Sequence, residues 1–128
     1  MSHQAILTTD APAPIGPYSQ AIRTGQTVYL SGQIALDPAT GELVSGSLTE
    51  ETTRVMRNLQ AVLTAAGMHF GHVVKVTIFL TDMAFFQEVN AVYGACFEGL
   101  TAPARETVAV AGLPRGVRVE ISAVAVAS

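Results

Sequence analysis

The C-terminal segment from Val117 to Val126 restricts the fold more than any other part of the chain. Its odd-numbered residues are all apolar. Its even-numbered residues begin with Arg118 and Glu120 but end with Val124 and Val126. Because side chains alternate between the two faces of a sheet, a strand that is apolar on both sides is buried on both sides. The segment therefore predicts a strand inside a sheet whose two faces are both covered.

Two helices are predicted to cover one face of that sheet. Ser47 and Glu50 have the spacing of a capping box, and apolar residues follow at helical period, which predicts a helix over residues 49–66. Asp82 is expected to cap the second helix, which is expected to end at Gly99. Its predicted inner face consists of Phe86, Val89, Tyr93 and Phe97. The opposite face of the sheet is then left for a partner chain.

Five further strands are expected in the rest of the chain. They are predicted at residues 5–9, 19–23, 28–36, 73–80 and 105–111. The element order β-β-β-α-β-α-β-β predicts an α/β fold, with a six-stranded mixed sheet and two helices on one face. Gly32 lies inside the third strand, where a glycine often marks a bulge or a close backbone approach. No repeat or linker divides residues 1–128, so one domain is predicted.

Composition also indicates a partner chain. Charged residues make up 13% of the 128 residues, compared with about 25% in average domains. A membrane span would be another explanation, but it needs about 20 consecutive apolar residues. The longest apolar stretches here are broken by Lys75, Asp82, Glu88 and Arg118. We therefore expect the chain to bury surface against copies of itself.

The remaining composition favours a cytoplasmic protein that does not bind nucleic acid. Residues 1–4 show no basic region leading into an apolar core, so no secretory signal is expected. Cys96 is the single cysteine, which excludes an internal disulfide and is typical of a reducing compartment. The net charge is −3 and the seven Lys and Arg residues are scattered, whereas nucleic-acid binding needs a concentrated basic patch.

Four short motifs, in order along the chain, resemble one known family. They are Ile-Gly-Pro-Tyr-Ser at 15–19, Leu-Ser-Gly-Gln-Ile at 30–34, Pro-Ala-Arg at 103–105 and Val-Glu-Ile at 119–121. Together they are similar to the RidA (YjgF) family of 2-iminoacid deaminases. The similarity runs over essentially the whole chain, including the Asn90–Tyr93 stretch of the second helix.

The resemblance implies a chorismate-mutase-like fold and a homotrimer. In that family the sheets line a central barrel, and three active sites lie at the subunit interfaces. The implied activity is that of a hydrolase acting on C–N bonds: enamines and imines such as 2-aminoacrylate and 2-aminocrotonate yield 2-oxo acids and ammonium. The resemblance implies neither a metal nor an organic cofactor.

It also implies roles for two charged residues. Arg105 matches the arginine that binds the substrate carboxylate, and a guanidinium suits that task because its planar fork binds both oxygens. Glu120 matches the glutamate that positions or activates water, as a general acid/base would. Each residue also has a structural alternative. Arg105 is a surface or salt-bridged arginine in that reading, and Glu120 pairs with Arg118 or Arg115.

Further substrate-binding positions follow from the same resemblance. Tyr18, Ser31 and Gly32 match positions that line the cleft, although Tyr18 and Ser31 are equally interpretable as structural hydrogen-bonding residues. Thr107 stands where well-studied members have a cysteine, and strand alternation puts it on the face of Arg105.

Two neighbours of the arginine also depart from the family pattern. Ala102 replaces a bulky aromatic, and Glu106 replaces a small residue. Strand alternation predicts that Glu106 lies on the face opposite Arg105, so that it need not neutralise the pocket. The preferred side chain of the imine stays open for this reason.

Other chemistry-bearing residues are expected to be structural. His69 and His72 lack the third and fourth ligands that a metal site needs, so we interpret them as exposed loop residues. Cys96 is expected to be buried and inert, and Asn90 to be structural or to support a neighbouring site residue. Two other functions remain as alternatives: a non-catalytic trimer that binds small carboxylates or acts as a chaperone, and a ribonuclease. The scattered basic residues argue against the ribonuclease.

Overall fold

The computed structural model of the chain describes residues 2–128 and contains one six-stranded sheet and two α-helices. The strands are β1 (Gln4–Ile6), β2 (Ala21–Thr24), β3 (Thr27–Gln33), β4 (Val73–Leu80), β5 (Ala104–Ala109) and β6 (Val119–Val126). The helices are α1 (Leu48–Ala65) and α2 (Phe86–Ala95). The order in the sheet is β1-β2-β3-β6-β4-β5, and β4 and β5 are the parallel pair. The predicted mixed sheet and the predicted element order are confirmed.

Helix α1 begins at the predicted capping box. The Ser47 hydroxyl accepts a hydrogen bond from Glu50 N at 3.1 Å, and the Glu50 carboxylate accepts one from Ser47 N at 3.5 Å. Apolar side chains at helical spacing pack against the sheet, among them the buried Val55, Leu59 and Val62. The helix occupies one residue less at its C-terminal end than predicted.

The prediction that Asp82 caps the second helix is wrong. Its carboxylate accepts a hydrogen bond from Ala84 N at 2.8 Å and so caps a separate 3₁₀ turn over Met83–Phe85. Helix α2 starts only after that turn and ends at Ala95 rather than near Gly99. The predicted inner face holds for Val89, Tyr93 and Phe97, which are buried, whereas Phe86 is only half-buried.

Side chains that take over backbone hydrogen bonds shorten the first and last strands. Gln20 is buried, accepts a hydrogen bond from Thr8 N at 2.8 Å and donates one to Thr8 O at 3.0 Å. Residue 8 therefore leaves the sheet, and β1 ends earlier than the predicted residue 9. At the other end, Arg118 N donates to the Glu51 carboxylate at 2.9 Å, and β6 begins at residue 119 instead of 117.

The two helices cover one face of the sheet and leave the other open. On β6 the odd-numbered side chains from Val119 to Ala125 are buried beneath the helices, while the even-numbered ones are partly or fully exposed. The open face carries apolar side chains in water: Tyr29 is 51% exposed and Val108 is 38% exposed. A single chain therefore covers only one of the two faces that the sequence predicts to be buried.

Within residues 2–128, none of the helices combines the length and the apolar character that a membrane crossing needs.

Candidate functional site

A cavity of about 560 Å³ opens beside β3 and β6 and collects four of the six predicted site residues. Tyr18, Ser31, Gly32 and Glu120 line it. We call this group the Glu120 cavity. The proline-rich loop before β2 and the turn before β6 form its rim, through Pro12, Ile15, Pro114 and Arg115.

Gly32 allows the Glu120 side chain to lie directly against the backbone of β3. A β-carbon built on Gly32 would come 2.8 Å from Glu120 Cδ and 3.0 Å from its Cγ, and closer still to Oε2. Real side chains do not tolerate such distances, so any other residue would displace the carboxylate. The register between β3 and β6 also shifts between Leu30 and Gln33. The predicted bulge and close approach at Gly32 are thus confirmed.

The Glu120 carboxylate is half-buried and has no hydrogen-bond or ion-pair partner in the described part of the chain. Burial raises its pKa above the ordinary carboxyl value. The alternative that Glu120 pairs with Arg118 is wrong, because Arg118 Nε binds Glu51 Oε1 at 2.8 Å. A carboxyl group that burial makes more basic, and that lies in a cavity, is suited to accept and return a proton.

Ser31 and Tyr18 are both tied to the backbone of the rim. Ser31 Oγ donates to Ser19 O at 2.6 Å, so its proton is committed and the oxygen is left as an acceptor. The Tyr18 hydroxyl accepts from Ile15 N at 3.3 Å and keeps its own proton free for a ligand. The structural alternative therefore describes Ser31, whereas Tyr18 retains a donor at the cavity.

Gln20 also lines the cavity, and sequence reasoning did not identify it. It is 1% exposed, and its amide nitrogen donates to Ala11 O at 3.3 Å and to Pro12 O at 2.9 Å. These bonds hold the proline-rich loop at the rim. The sequence did contain one indication of this role. Gln20 is an amide side chain that follows directly after a loop whose prolines have no backbone N–H to donate.

Arg105 and Thr107 lie elsewhere, on the helix-covered side of the edge strand β5. Their positions pair with Val76 and Ile78 of β4, both buried under the helices. Arg105 Nη1 donates to Asn90 Oδ1 at 2.6 Å. Its guanidinium carbon lies 5.1 Å from the centre of the Tyr93 ring and 5.6 Å from that of Phe86. We call Arg105, Thr107, Asn90, Tyr93 and Phe86 the Arg105 shelf.

The Arg105 shelf holds an exposed cation in a defined position. The Asn90 oxygen and two aromatic rings orient the guanidinium without neutralising it. Beside it, Thr107 Oγ1 is buried and has no hydrogen-bond partner among residues 2–128. Burial raises the pKa of Tyr93 above its usual value, and the positive charge of Arg105 offsets only part of that rise. The expectation that Asn90 supports a site residue agrees with its contact to Arg105.

Glu106 points to the opposite face from Arg105, as strand alternation predicts. Its carboxylate accepts a hydrogen bond from Thr77 Oγ1 and forms an ion pair with Lys75 Nζ at 2.9 Å. These two bonds, first that of Thr77 and then that of Lys75, lower the pKa of Glu106. Its negative charge is therefore satisfied on the open face and does not offset Arg105.

The Glu120 cavity and the Arg105 shelf cannot meet on one small ligand within a single chain. Glu120 pairs with Phe79 of β4, and Phe79 pairs with Val108 of β5, so two strand spacings of about 4.8 Å separate the strands that carry the two groups. On β5, Arg105 precedes Val108 by three residues, and its side chain lies on the other face of the sheet. One chain therefore contains two separate parts of the predicted site.

The histidines and the cysteine are engaged in local structure. Gly71 N donates to His69 Nδ1 at 3.0 Å, and His69 N donates to His72 Nδ1 at 3.1 Å. Both rings thus use their Nδ1 lone pairs to cap a 3₁₀ turn. Among residues 2–128 no three His, Cys, Asp or Glu side chains cluster as metal ligands would. Cys96 is half-buried, its Sγ donates to Val92 O, and burial raises its pKa, which disfavours the reactive thiolate.

The profile of the family described as Endoribonuclease L-PSP matches residues 8–127. The chain belongs to this family. The resemblance to RidA/YjgF proteins that the four motifs indicated is thereby confirmed.

Two curated relatives illustrate the range of the family. DfrA of Myxococcus xanthus is 55% identical over 128 residues, which cover 98% of this chain and 97% of DfrA. The 2-iminobutanoate/2-iminopropanoate deaminase of Mus musculus is 51% identical over 123 residues, which cover 96% of this chain and 90% of the mouse protein. Membership of the family alone does not fix one activity, since its members carry different functional names.

The crystal structure of E. coli TdcF with bound serine is also similar. It superposes with a TM-score of 0.94 at 39% identity, covering 98% of this chain and 99% of TdcF. The predicted RidA/YjgF fold is therefore confirmed.

Proposed function

We propose that this protein is an imine deaminase. It hydrolyses 2-imino acids derived from 2-aminoacrylate or 2-aminocrotonate to 2-oxo acids and ammonium, without a metal or organic cofactor. The observation that carries this proposal is the unpaired, half-buried Glu120 carboxylate in a cavity beside Tyr18 and Gly32. The mouse relative that is named a 2-iminobutanoate/2-iminopropanoate deaminase supports it.

The proposed chemistry needs one proton acceptor. A protonated imine already has an electrophilic carbon, so water adds to that carbon while Glu120 accepts a proton from the water. Glu120 returns the proton to nitrogen. As the C=O bond forms, Glu120 accepts the remaining hydroxyl proton and the C–N bond breaks with its electron pair leaving on ammonia, which then takes up that proton. The products are one 2-oxo acid and one ammonium ion. Arg105 binds the carboxylate and orients the adjacent C=N bond.

The proposal requires a second copy of the chain to complete the site. Because the sheet separates Arg105 from Glu120 within one chain, the carboxylate is bound by the Arg105 shelf of one copy and water is activated in the Glu120 cavity of its neighbour. We further propose a homotrimer, in which the open sheet faces cover one another, and a cytoplasmic role in removing reactive imines.

The trimer gives a direct prediction. The open face exposes apolar side chains such as Tyr29 and Val108, and a large apolar patch is costly to leave in water. We expect sedimentation equilibrium at micromolar concentration to give the mass of three chains. A mass near 13.4 kDa, that of one chain, would contradict this prediction.

The proposed activity is tested with freshly generated 2-aminoacrylate. We expect the protein to accelerate the release of ammonium and 2-oxo acid well beyond the rate in buffer. Heat-denatured protein at the same concentration serves as the control. If release stays at the buffer rate while a stable 2-oxo acid binds, the protein is not an imine deaminase.

One observation favours a second candidate, a non-catalytic binder of small carboxylates. Asn90 and two aromatic rings already orient Arg105, and this arrangement suits carboxylate binding whether or not a reaction follows. TdcF was solved with bound serine, which is such a molecule. The two candidates differ at Glu120, because a binder needs no water-activating group. Ribonuclease activity, the third candidate, would need a row of cations.

A further inference from the structure

Most basic side chains of this protein have a partner within the chain. Five of the seven Lys and Arg residues bind another group: Arg23 binds Ala66 O, Arg54 binds Asn58, Lys75 binds Glu106, Arg105 binds Asn90 and Arg118 binds Glu51. In the described part of the chain, Arg57 and Arg115 make neither a hydrogen bond nor an ion pair. Arg57 is exposed on α1, whereas Arg115 lines the Glu120 cavity.

The backbone at Arg115 is also unusual. It has φ = 60° within the 3₁₀ turn Pro114–Gly116, just before β6. The left-handed conformation costs a residue other than glycine free energy, and such outliers are concentrated at ligand sites and tight turns. The turn places a long cationic side chain at the rim of a cavity whose other charged residue is Glu120.

Arg115 does not act as the partner of Glu120. Each salt bridge of the described chain joins other residues, and burial is the cause of the raised pKa of Glu120, with no offsetting contribution from a cation. The guanidinium of Arg115 is therefore available to a ligand. Its natural counterpart is a planar carboxylate, which it can bind through two parallel hydrogen bonds.

We propose that Arg115 is a specificity-determining residue that binds a second, side-chain carboxylate, so that this protein acts on 2-imino dicarboxylic acids such as the imine of aspartate. This inference rests on the proposed imine deaminase activity. The α-carboxylate binds Arg105 of a neighbouring copy, whereas C2 lies next to Glu120 and the distal carboxylate binds Arg115 of the same chain as Glu120. Without Arg115, a dianionic substrate would face only the negative charge of Glu120 in this cavity.

The test compares two imines that differ in the distal carboxylate. Iminosuccinate and 2-iminopropanoate are generated in situ from aspartate and alanine by amino-acid oxidases, and the kcat/KM of each is measured. Arg115→Asn removes the guanidinium but keeps a residue type that tolerates positive φ. Arg57→Asn makes the same charge change on the exposed surface of α1 and is the matched control.

We expect Arg115→Asn to lower kcat/KM for iminosuccinate about 10–100-fold, the effect of losing a charge-assisted hydrogen bond. The kcat/KM for 2-iminopropanoate should change by less than about twofold, because that substrate has no group for Arg115 to bind. Arg57→Asn should change neither value. Equal losses for both imines, or no loss for iminosuccinate, would overturn the inference while leaving the deaminase activity in place.

A binding measurement keeps the inference testable without turnover. Calorimetry compares 2-oxoglutarate, which has two carboxylates, with 2-oxobutanoate, which has one. Arg115→Asn should weaken binding of the diacid alone. If the protein hydrolyses no imine, the proposed function fails. The selective loss of diacid binding in Arg115→Asn would still show that Arg115 binds the second carboxylate. Equal affinities of the parent and Arg115→Asn for 2-oxoglutarate would overturn it.

Discussion

Replacing Arg105 with lysine should keep the fold and the charge but reduce turnover by about 100-fold, the order expected when a substrate is misplaced by about 1 Å. Lysine offers a point charge, whereas the guanidinium binds both carboxylate oxygens in one plane. It would also lose the bond of the guanidinium to Asn90 Oδ1 and its cation–π contacts with Tyr93 and Phe86. The measurement is single-turnover hydrolysis of 2-iminopropanoate.

The control for this substitution is Arg57→Lys, which makes the same chemical change at an exposed position. The thermal midpoints of both variants should match that of the parent, since Arg105 is exposed on an edge strand and makes no ion pair in the described chain. A lysine variant that hydrolyses the imine at the parental rate would rule out Arg105 as the carboxylate ligand.

Replacing Glu120 with glutamine should reduce turnover about 10²–10⁴-fold, the usual contribution of one general base. Glutamine keeps the size of the side chain, so carboxylate binding and trimer formation should remain. In the parent, turnover should fall as the pH drops through the raised pKa of Glu120, at a higher pH than an ordinary carboxyl group would give. Glu98→Gln, at an exposed position of the chain, is the matched control.

The same substitution should not cost stability. Because burial raises the pKa of Glu120 in the folded state, that state binds its proton more tightly than the unfolded state does. The parent should therefore lose stability as the pH rises from the ordinary value of about 4.3 through the raised pKa. Glu120→Gln removes this effect, so its thermal midpoint at pH 7 should equal or exceed that of the parent. If Glu120→Gln hydrolysed the imine at the parental rate, Glu120 would not be the group that activates water.

The sequence predicted the fold well where hydrophobic pattern and turn chemistry agree. The capping box at Ser47 and the β-branched run of β4 identified their elements to within a residue. The errors arose where a side chain competes with the backbone. Asp82 caps a short 3₁₀ turn instead of the helix, and Gln20 withdraws residue 8 from the sheet. Such a choice depends on which partner is near in space, which residue spacing does not reveal.

The family resemblance supplied the expected site residues and a site at the subunit interfaces, but the sequence did not show which of those residues one chain brings together. Strand alternation correctly placed Thr107 with Arg105 and Glu106 on the other face. The order of the strands, which puts β4 between β5 and β6, determines the distance from Arg105 to Glu120. Pairing between distant segments is not encoded in local pattern, so the sequence did not show that Arg105 and Glu120 of one chain lie in separate parts of the site.

A mixing experiment tests most directly whether two copies share each active site. Arg105→Lys and Glu120→Gln are unfolded together in equal amounts and refolded into mixed trimers. Each site then takes Arg105 from one copy and Glu120 from its neighbour, so about a quarter of the sites receive both unmodified residues. We predict that the mixture regains about a quarter of the parental deaminase activity, although each variant alone is nearly inactive. Activity that stays at the level of the separate variants would contradict a site shared between copies.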